Sequence, residues 1–420
     1  MQLSKFYNLF KGDKVIWMVF FLLCMISIVE VYSASSTLTY KSGSFAGPML
    51  KHRGIILVGT VITIITLNIP CRFFKVLTPL LIPFSFFALL WVLAMGQSTN
   101  GAQRWVSFFG MQFQPSEIAK GTIILAVAQI LSFMQTEKGA DKRAFKYILI
   151  VCAVLVPLIM VENLSTAVLL LIVVLFMMII GRIPGYIIGR LIGVTVIFIL
   201  LMVGLVIMLG KESAPQNNDT HAMTEVQAST SKSESPGAVS KVFHRFGTWK
   251  NRILSFFETK EVDPKTYDWD RDCQKGHAHI AIASSNIIGK GPGNSVERDW
   301  LPQAFSDFIY AIILEELGII GGAAVIFLYI VLLFRVGRIA NNCERNFPAF
   351  LILGLALMLA TQAIFNMCVA VGIAPVTGQP LPLVSKGGTS ILVNCAYIGV
   401  ILSVSRSAKK RSDAEIIDNE

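Results

Sequence analysis

Apolar runs of about 20 residues recur along this chain, the length a helix needs to cross a hydrocarbon core of ~30 Å. The first reads "VIWMVFFLLCMISIVEVYSAS". Ten candidate spans follow from such runs: residues 15–35, 54–71, 76–96, 115–135, 147–162, 164–181, 189–210, 307–334, 347–372 and 387–405. The fifth and sixth are nearly continuous, broken only around "VENLST". A membrane barrel would show ~10-residue alternating segments instead. Charged residues make up 15% of the chain, below the ~25% of soluble globular chains. The predicted fold class is all-α: a polytopic membrane protein of about ten transmembrane helices, forming one domain over residues 1–420. The first run is too long for a signal-peptide core and shows no small-residue cleavage site, so it reads as a retained span.

Orientation follows from the Lys and Arg of the short loops. With the N-terminus in the cytoplasm, the inner segments hold eighteen of them, and the short outer segments hold five: Lys41, Lys51, Arg53, Arg104 and Lys386. Both termini are therefore expected in the cytoplasm, with residues 406–420 as a tail. The net charge of +10 does not point to nucleic acid, because no basic aromatic surface is clustered. The seven cysteines show no CxxC spacing, which argues against a disulfide framework or a structural zinc site.

Residues 211–306 form a large polar connection on the outer side, between helices 7 and 8. Its Ser-, Thr-, Asn- and Gln-rich first part, 211–240, is predicted to be disordered. "VFHRFGTWKNRILSFF" has the spacing of an interfacial helix. Gly289, Gly291, Pro292 and Gly293 then impose turns. His277 and His279 stand near Asp268, Asp270 and Asp272; a solvated loop accounts for them, and no metal site is assigned.

Polar groups inside spans are costly and mark function. They gather on the outer side: Asp307 at the start of span eight; Arg104, Trp105, Glu117 and Lys120 before and within span four; Glu162, Asn163 and Thr166 at the turn between spans five and six; Ser385 and Lys386 before span ten. If the bundle closes, these segments converge on one outward-facing cavity. Each has a plainer reading. Lys386 could snorkel to headgroups, Arg104 with Trp105 could anchor the interface, Glu117 could complement a helix dipole, and Asp307 could cap span eight. Glu315 and Glu316, two turns past Asp307, read best as polar residues in a helix that hydrogen-bond to a neighbour.

Two function classes suit such a cavity. A transporter would line it with charge, but "QPSEIAK" has no counterpart in the second half of the chain, as matched broken helices would require. A transferase acting on a lipid-linked substrate would need a carboxylate to deprotonate an acceptor hydroxyl and cations to hold a phosphate leaving group. Asp307 suits the first role; Arg104, Lys120 and Lys386 suit the second.

Three segments carry a family resemblance: "GAQRWVSFFGMQFQPSEIAK", "GKGPGNSVERDWLPQAFSDFIYAIILEELGIIGG" and "TGQPLPLVSKGGTSILVNCAYIGVILSVSR". With the span count and the large loop, they resemble the SEDS family of peptidoglycan glycosyltransferases, the FtsW/RodA group, over nearly the whole chain. "GKGPGNS" is more similar to the division-specific FtsW branch than to the elongation-specific RodA branch. The resemblance implies a SEDS-type bundle in the bacterial cytoplasmic (inner) membrane with its active site on the outer face. It implies polymerisation of lipid II into glycan strands with release of undecaprenyl diphosphate, Asp307 being the general base. Arg104, Trp105, Glu117, Lys120, Thr166, Ser385 and Lys386 would bind substrate or diphosphate. The implied partners are a class B penicillin-binding protein transpeptidase (FtsI-like) and divisome proteins. No cofactor is certain; a divalent cation, Mg or Mn, could assist at the diphosphate, though the sequence shows no cage for one. The alternatives are an elongation polymerase of the RodA type, a lipid-linked precursor flippase, and a division scaffold without activity.

The chain departs from the family pattern in four places. Phe305-Ser306 replace His-Thr before Asp307, "ENLSTA" replaces "PDLGTA", Lys386 stands where Tyr is common, and the 211–240 insert is long.

Overall fold

The computed structural model describes residues 11–34, 46–95, 97–99, 102–108, 111–137, 139–209, 269–302 and 304–417. The segments expected to be disordered (211–240) and interfacial (242–257) lie outside the described residues. Eleven α-helices are described: α1 Lys14–Ala34, α2 Ala46–Asn68, α3 Cys71–Met95, α4 Pro115–Phe133, α5 Lys142–Glu162, α6 Leu164–Ile180, α7 Gly185–Leu209, α8 Trp269–Ala283, α9 Ile309–Asn341, α10 Asn346–Ala370 and α11 Gly388–Ile417. Eight are long and apolar enough to cross a membrane: α1 to α5 and α9 to α11. The apolar stretches of α6 (Leu164–Ile180) and α7 (Gly185–Thr195) are shorter.

The chain forms two compact units, Met1–Ile188 with Thr266–Glu420, and Gly189–Lys265. Of the second, the described part is the run of α7 from Gly189 onward.

In the first unit, α4 and α10 pack on each other at the centre, α3 and α5 flank α4, α9 lies against α10 and α1, and α11 runs along α2. Side chains that stay outside, such as Leu80, Phe87 and Trp91 on α3, are large and apolar, as a lipid-facing surface requires. Helix starts follow local chemistry. Asp13 accepts from Val15 N (2.9 Å) at the head of α1, and its other oxygen pairs with Arg335 of α9 at 2.7 Å. Asp141 caps α5 through Arg143 N. Asn163, extended at φ −156°, ends α5 and caps α6 through Ser165 N. These caps satisfy amides that the helix leaves free.

Two features escaped the sequence reading. Before α4 the chain forms a three-stranded antiparallel sheet, β1 Gln97–Thr99, β2 Ala102–Phe108 and β3 Met111–Phe113. And α9 is broken at Gly318, whose φ of +70° and ψ of −171° are not helical.

The break is filled by the Gly-rich loop before it. Lys290 N donates to Glu315 O and Gly291 N to Glu316 O (3.0 and 2.8 Å), while Ile319 N and Ile320 N donate back to Asn286 O and Ile287 O. Backbone groups that the kink frees inside a membrane protein are thus re-paired, as they must be. Gly289 sits at φ +82°, and a Cβ there would strike the Glu316 carbonyl; one on Gly318 would strike Ile287 O and Gly289 N.

Left-handed backbone alone costs a non-glycine residue roughly 1–2 kcal/mol, and the collision with backbone adds to it. Gly318→Ala and Gly289→Ala are therefore expected to lower the melting temperature of the purified protein, whereas Gly54→Ala, which meets open space, should not. Thermal unfolding in detergent checks this, and a Gly318→Ala protein as stable as Gly54→Ala would contradict the docking described.

Candidate functional site

Asp307 sits on an irregular turn just before α9. It does not cap the helix: the N-cap is Phe308, with no side-chain cap bond. The turn is held instead from outside. Three consecutive carbonyls each accept a donor from elsewhere in the chain. Phe305 O takes Lys386 N at 2.9 Å, Ser306 O takes Ser385 Oγ at 2.6 Å, and Asp307 O takes Asn366 Nδ2 at 2.8 Å. The Asp307 side chain accepts from Ser306 Oγ at 3.0 Å, and the residue is half-buried.

The donors come from α10 and from the loop "GQPLPLVSKG" that follows it. Pro380 and Pro382 lack N–H groups and prevent a regular element there, so the loop's carbonyls turn to side chains. Gln379 O accepts from Asn366 Nδ2 (2.7 Å), Pro380 O from Gln362 Nε2 (3.0 Å), Pro382 O from the Tyr329 hydroxyl, and Val384 O from Ser27 Oγ (2.7 Å). Three helices, α1, α9 and α10, thus clamp one loop. Ser27, having given its proton to Val384 O, is left to accept from His52 Nε2 at 3.0 Å. Leu383 adopts φ +65°, a conformation that costs a non-glycine residue of order 1–3 kcal/mol and persists only where its surroundings enforce it.

Where α4 meets α10 lies a buried ion pair. Glu117 and Lys120 stand one turn apart on α4, whose Pro115 at the first position suits a helix start. Lys120 Nζ is 2.9 Å from Glu117 Oε1, donates to Gln362 Oε1 at 3.1 Å, and is 0% exposed. Thr166, at the start of α6, accepts from Gln379 Nε2 at 2.6 Å.

Hydrogen bonds, with the short backbone stretches between them, link Asp307, Lys120, Glu117, Thr166, Ser385 and the backbone amide of Lys386. The hydroxyls of Ser385 and Thr166 and the ammonium of Lys120 are occupied by protein partners. Lys386 is half-buried, its ammonium 4.8 Å from the centre of the Phe305 ring; burial, and then the charge of Lys51, lower its pKa from the ordinary value. Arg104 and Trp105 lie on β2, and their side chains fall outside the described residues.

Glu315 and Glu316 serve the loop, not this network. Glu315 takes Lys290 Nζ at 2.6 Å, Ser295 Oγ at 2.5 Å and Val296 N at 3.1 Å. Glu316 takes Gly293 N (2.9 Å), Ser295 N (3.2 Å) and the Ser33 hydroxyl. Arg298 Nη1 reaches Ser33 Oγ and Gly293 O. On α1, Glu30 is wholly buried and its carboxylate oxygens have no hydrogen-bond partner among the described residues. His277 pairs with Glu297 at 2.6 Å. Among the described residues no three His, Cys, Asp or Glu side chains gather in a way that could hold a metal ion.

Sequence reasoning missed Gln362, Asn366, Glu30 and His52. The first two could have been found: "TQAIFNM" places two carboxamides four residues apart in an otherwise apolar run, on one helix face.

Comparison with known proteins identifies the family and the fold. The family model for the FtsW/RodA/SpoVE cell cycle proteins matches residues 13–410. A relative from Halomonas elongata, described as a probable peptidoglycan glycosyltransferase FtsW, is 32% identical over 399 residues, covering 93% of this chain and 90% of its own. The fold is similar to a chain of a peptidoglycan synthase complex that coordinates polymerization and crosslinking, with a TM-score of 0.67 at 23% identity, covering 94% of this chain and 98% of that one. It is also similar to the rod shape determining protein RodA of Thermus thermophilus, with a TM-score of 0.60 at 20% identity, covering 95% and 98%. A match over nearly the whole length, on a multi-pass helical bundle, places this chain in the FtsW/RodA/SpoVE family.

Proposed function

We propose that this protein is a peptidoglycan glycosyltransferase that polymerises lipid II into glycan strands for septal wall synthesis. The observation that carries the mechanism is the half-buried Asp307 carboxylate on a turn fixed at three consecutive carbonyls. A group held this firmly is preorganised for proton transfer. Asp307 takes the proton of the acceptor sugar's 4-hydroxyl while that oxygen attacks the anomeric carbon of the donor. The bond from that carbon to the diphosphate oxygen breaks with inversion, and undecaprenyl diphosphate leaves with the electron pair.

The leaving diphosphate needs positive charge nearby. Lys386 is the first candidate, because its ammonium lies against an aromatic ring and makes no ion pair among the described residues; Arg104 on β2 is the second. Lys120 acts from behind, as a buried charge held by Glu117 and Gln362. A divalent ion held by protein side chains alone does not fit the described donor set, so no step is routed through one. The Lys and Arg distribution supports cytoplasmic termini and an outer active face. The synthase complex with a similar fold supports a class B penicillin-binding transpeptidase as partner, and the FtsW relatives support divisome proteins around it.

Purified protein with its transpeptidase partner should form glycan chains from lipid II. Asp307→Asn should lower that rate by at least about 100-fold, the scale of a lost general base, with the melting temperature unchanged. Wild-type polymerisation by Asp307→Asn would remove Asp307 from the chemistry, and lipid translocation without glycan product would favour the flippase. Lys120→Met leaves Glu117 buried without its cation, a change that costs about 3–5 kcal/mol. The double variant Glu117→Gln/Lys120→Met should regain most of that stability in thermal unfolding, yet remain slow in the glycan assay. Recovery of both would make the pair purely structural.

A further inference from the structure

Two carboxamides on α10 have bonding patterns that few other side chains could reproduce. Gln362 accepts from an ammonium, Lys120 Nζ, with its oxygen, and donates to a carbonyl, Pro380 O, with its nitrogen. Asn366, one turn further on, gives two protons from one nitrogen to two carbonyls, Asp307 O and Gln379 O. Both residues are buried. A carboxylate in place of Asn366 would set negative charge against two carbonyl oxygens, and a hydroxyl would have one proton for two acceptors. The spacing of four residues puts the two amides on one face of a helix that is otherwise apolar there. They meet three separate segments: α4 through Lys120, the proline-rich loop through Pro380 and Gln379, and the turn before α9 through Asp307.

We infer that Gln362 and Asn366 are positioning residues, a pair of amide braces on α10 that fix the Asp307 turn relative to the buried Lys120 cation. This rests on the reading of Asp307 as the general base, but what the braces do to the turn can be measured without it. Neither residue touches substrate in this scheme. Their loss moves the base, and a displacement near 1 Å can cost on the order of 100-fold in rate.

The test uses the full-length protein in two arms. In the first, Asn366→Ala and the volume-conserving Gln362→Met are assayed for glycan formation from lipid II with the transpeptidase partner. The expectation is a kcat lower by about tenfold or more with KM within about threefold, the pattern of an interaction that counts only in the transition state. In the second, Asp307→Cys is treated in membranes with a membrane-impermeant methanethiosulfonate, and modification at position 307 is followed by peptide mass mapping. Adding Asn366→Ala should raise the labelling rate by about tenfold or more, because a half-buried turn is released. Labelling within about twofold of the single variant overturns the inference, whatever Asp307 does chemically. So does a folded Asn366→Ala or Gln362→Met enzyme whose kcat matches wild type. If Asp307→Asn proves active while labelling responds as expected, the base assignment falls and the braces stand. If Asn366→Ala yields no folded protein, Gln362→Met decides through both arms.

Discussion

The site depends on how one stretch of irregular backbone is held. Residues 305–307 have neither helix nor strand to satisfy their carbonyls, and a buried unpaired carbonyl costs about as much as a lost hydrogen bond. Their three acceptors are met by Lys386 N, Ser385 Oγ and Asn366 Nδ2. Two of these donors belong to the proline-containing loop after α10, and the third, Asn366, to α10 itself. Each irregular segment therefore helps complete the other; side chains from α1 and α9 complete the loop, and Asn366 of α10 serves both. Rigidity in a loop-built site here comes from accounting for polar groups, with no regular element beneath the carboxylate.

The same accounting explains the two carboxylates in the middle of the motif. Glu315 and Glu316 draw in the amides of Gly293, Ser295 and Val296 and the Lys290 ammonium. Hydrogen bonds to a charged acceptor contribute about 1.5–3 kcal/mol each, so the anchor is strong enough to hold a Gly-rich loop against a broken helix. The loop then leads through Trp300 and Leu301 directly into the Asp307 turn. A motif that reads as one sequence element is two structural devices, an anchor and the Asp307 turn, linked by about two turns of helix.

Much of this was legible. Spans could be read because a membrane imposes a length on apolar runs, and Asp307, Lys120 and Lys386 stood out because charge in such a chain is expensive. The ends were less so: α9 runs to Asn341 and α11 to Ile417, beyond the apolar stretch, since a helix may continue past the bilayer. The Gly318 break was invisible because its cause is a loop some thirty residues earlier, whose backbone atoms have no side-chain signature. Gln362 and Asn366 were overlooked because uncharged amides look unremarkable one at a time. Their meaning lies in which carbonyls they face, and a linear pattern does not encode that.

The polar residues of α1 have a bearing on biogenesis. Ser33 meets Glu316 and Arg298, and Ser27 meets Val384. Those partners leave the ribosome some 260 to 360 residues after α1 does. Until then the nascent first helix carries the Ser33 hydroxyl without these partners, together with the Glu30 carboxyl, into a hydrocarbon environment, where such groups are disfavoured. Sealing of the amino-terminal helix into the bundle must await translation of the last third of the polypeptide.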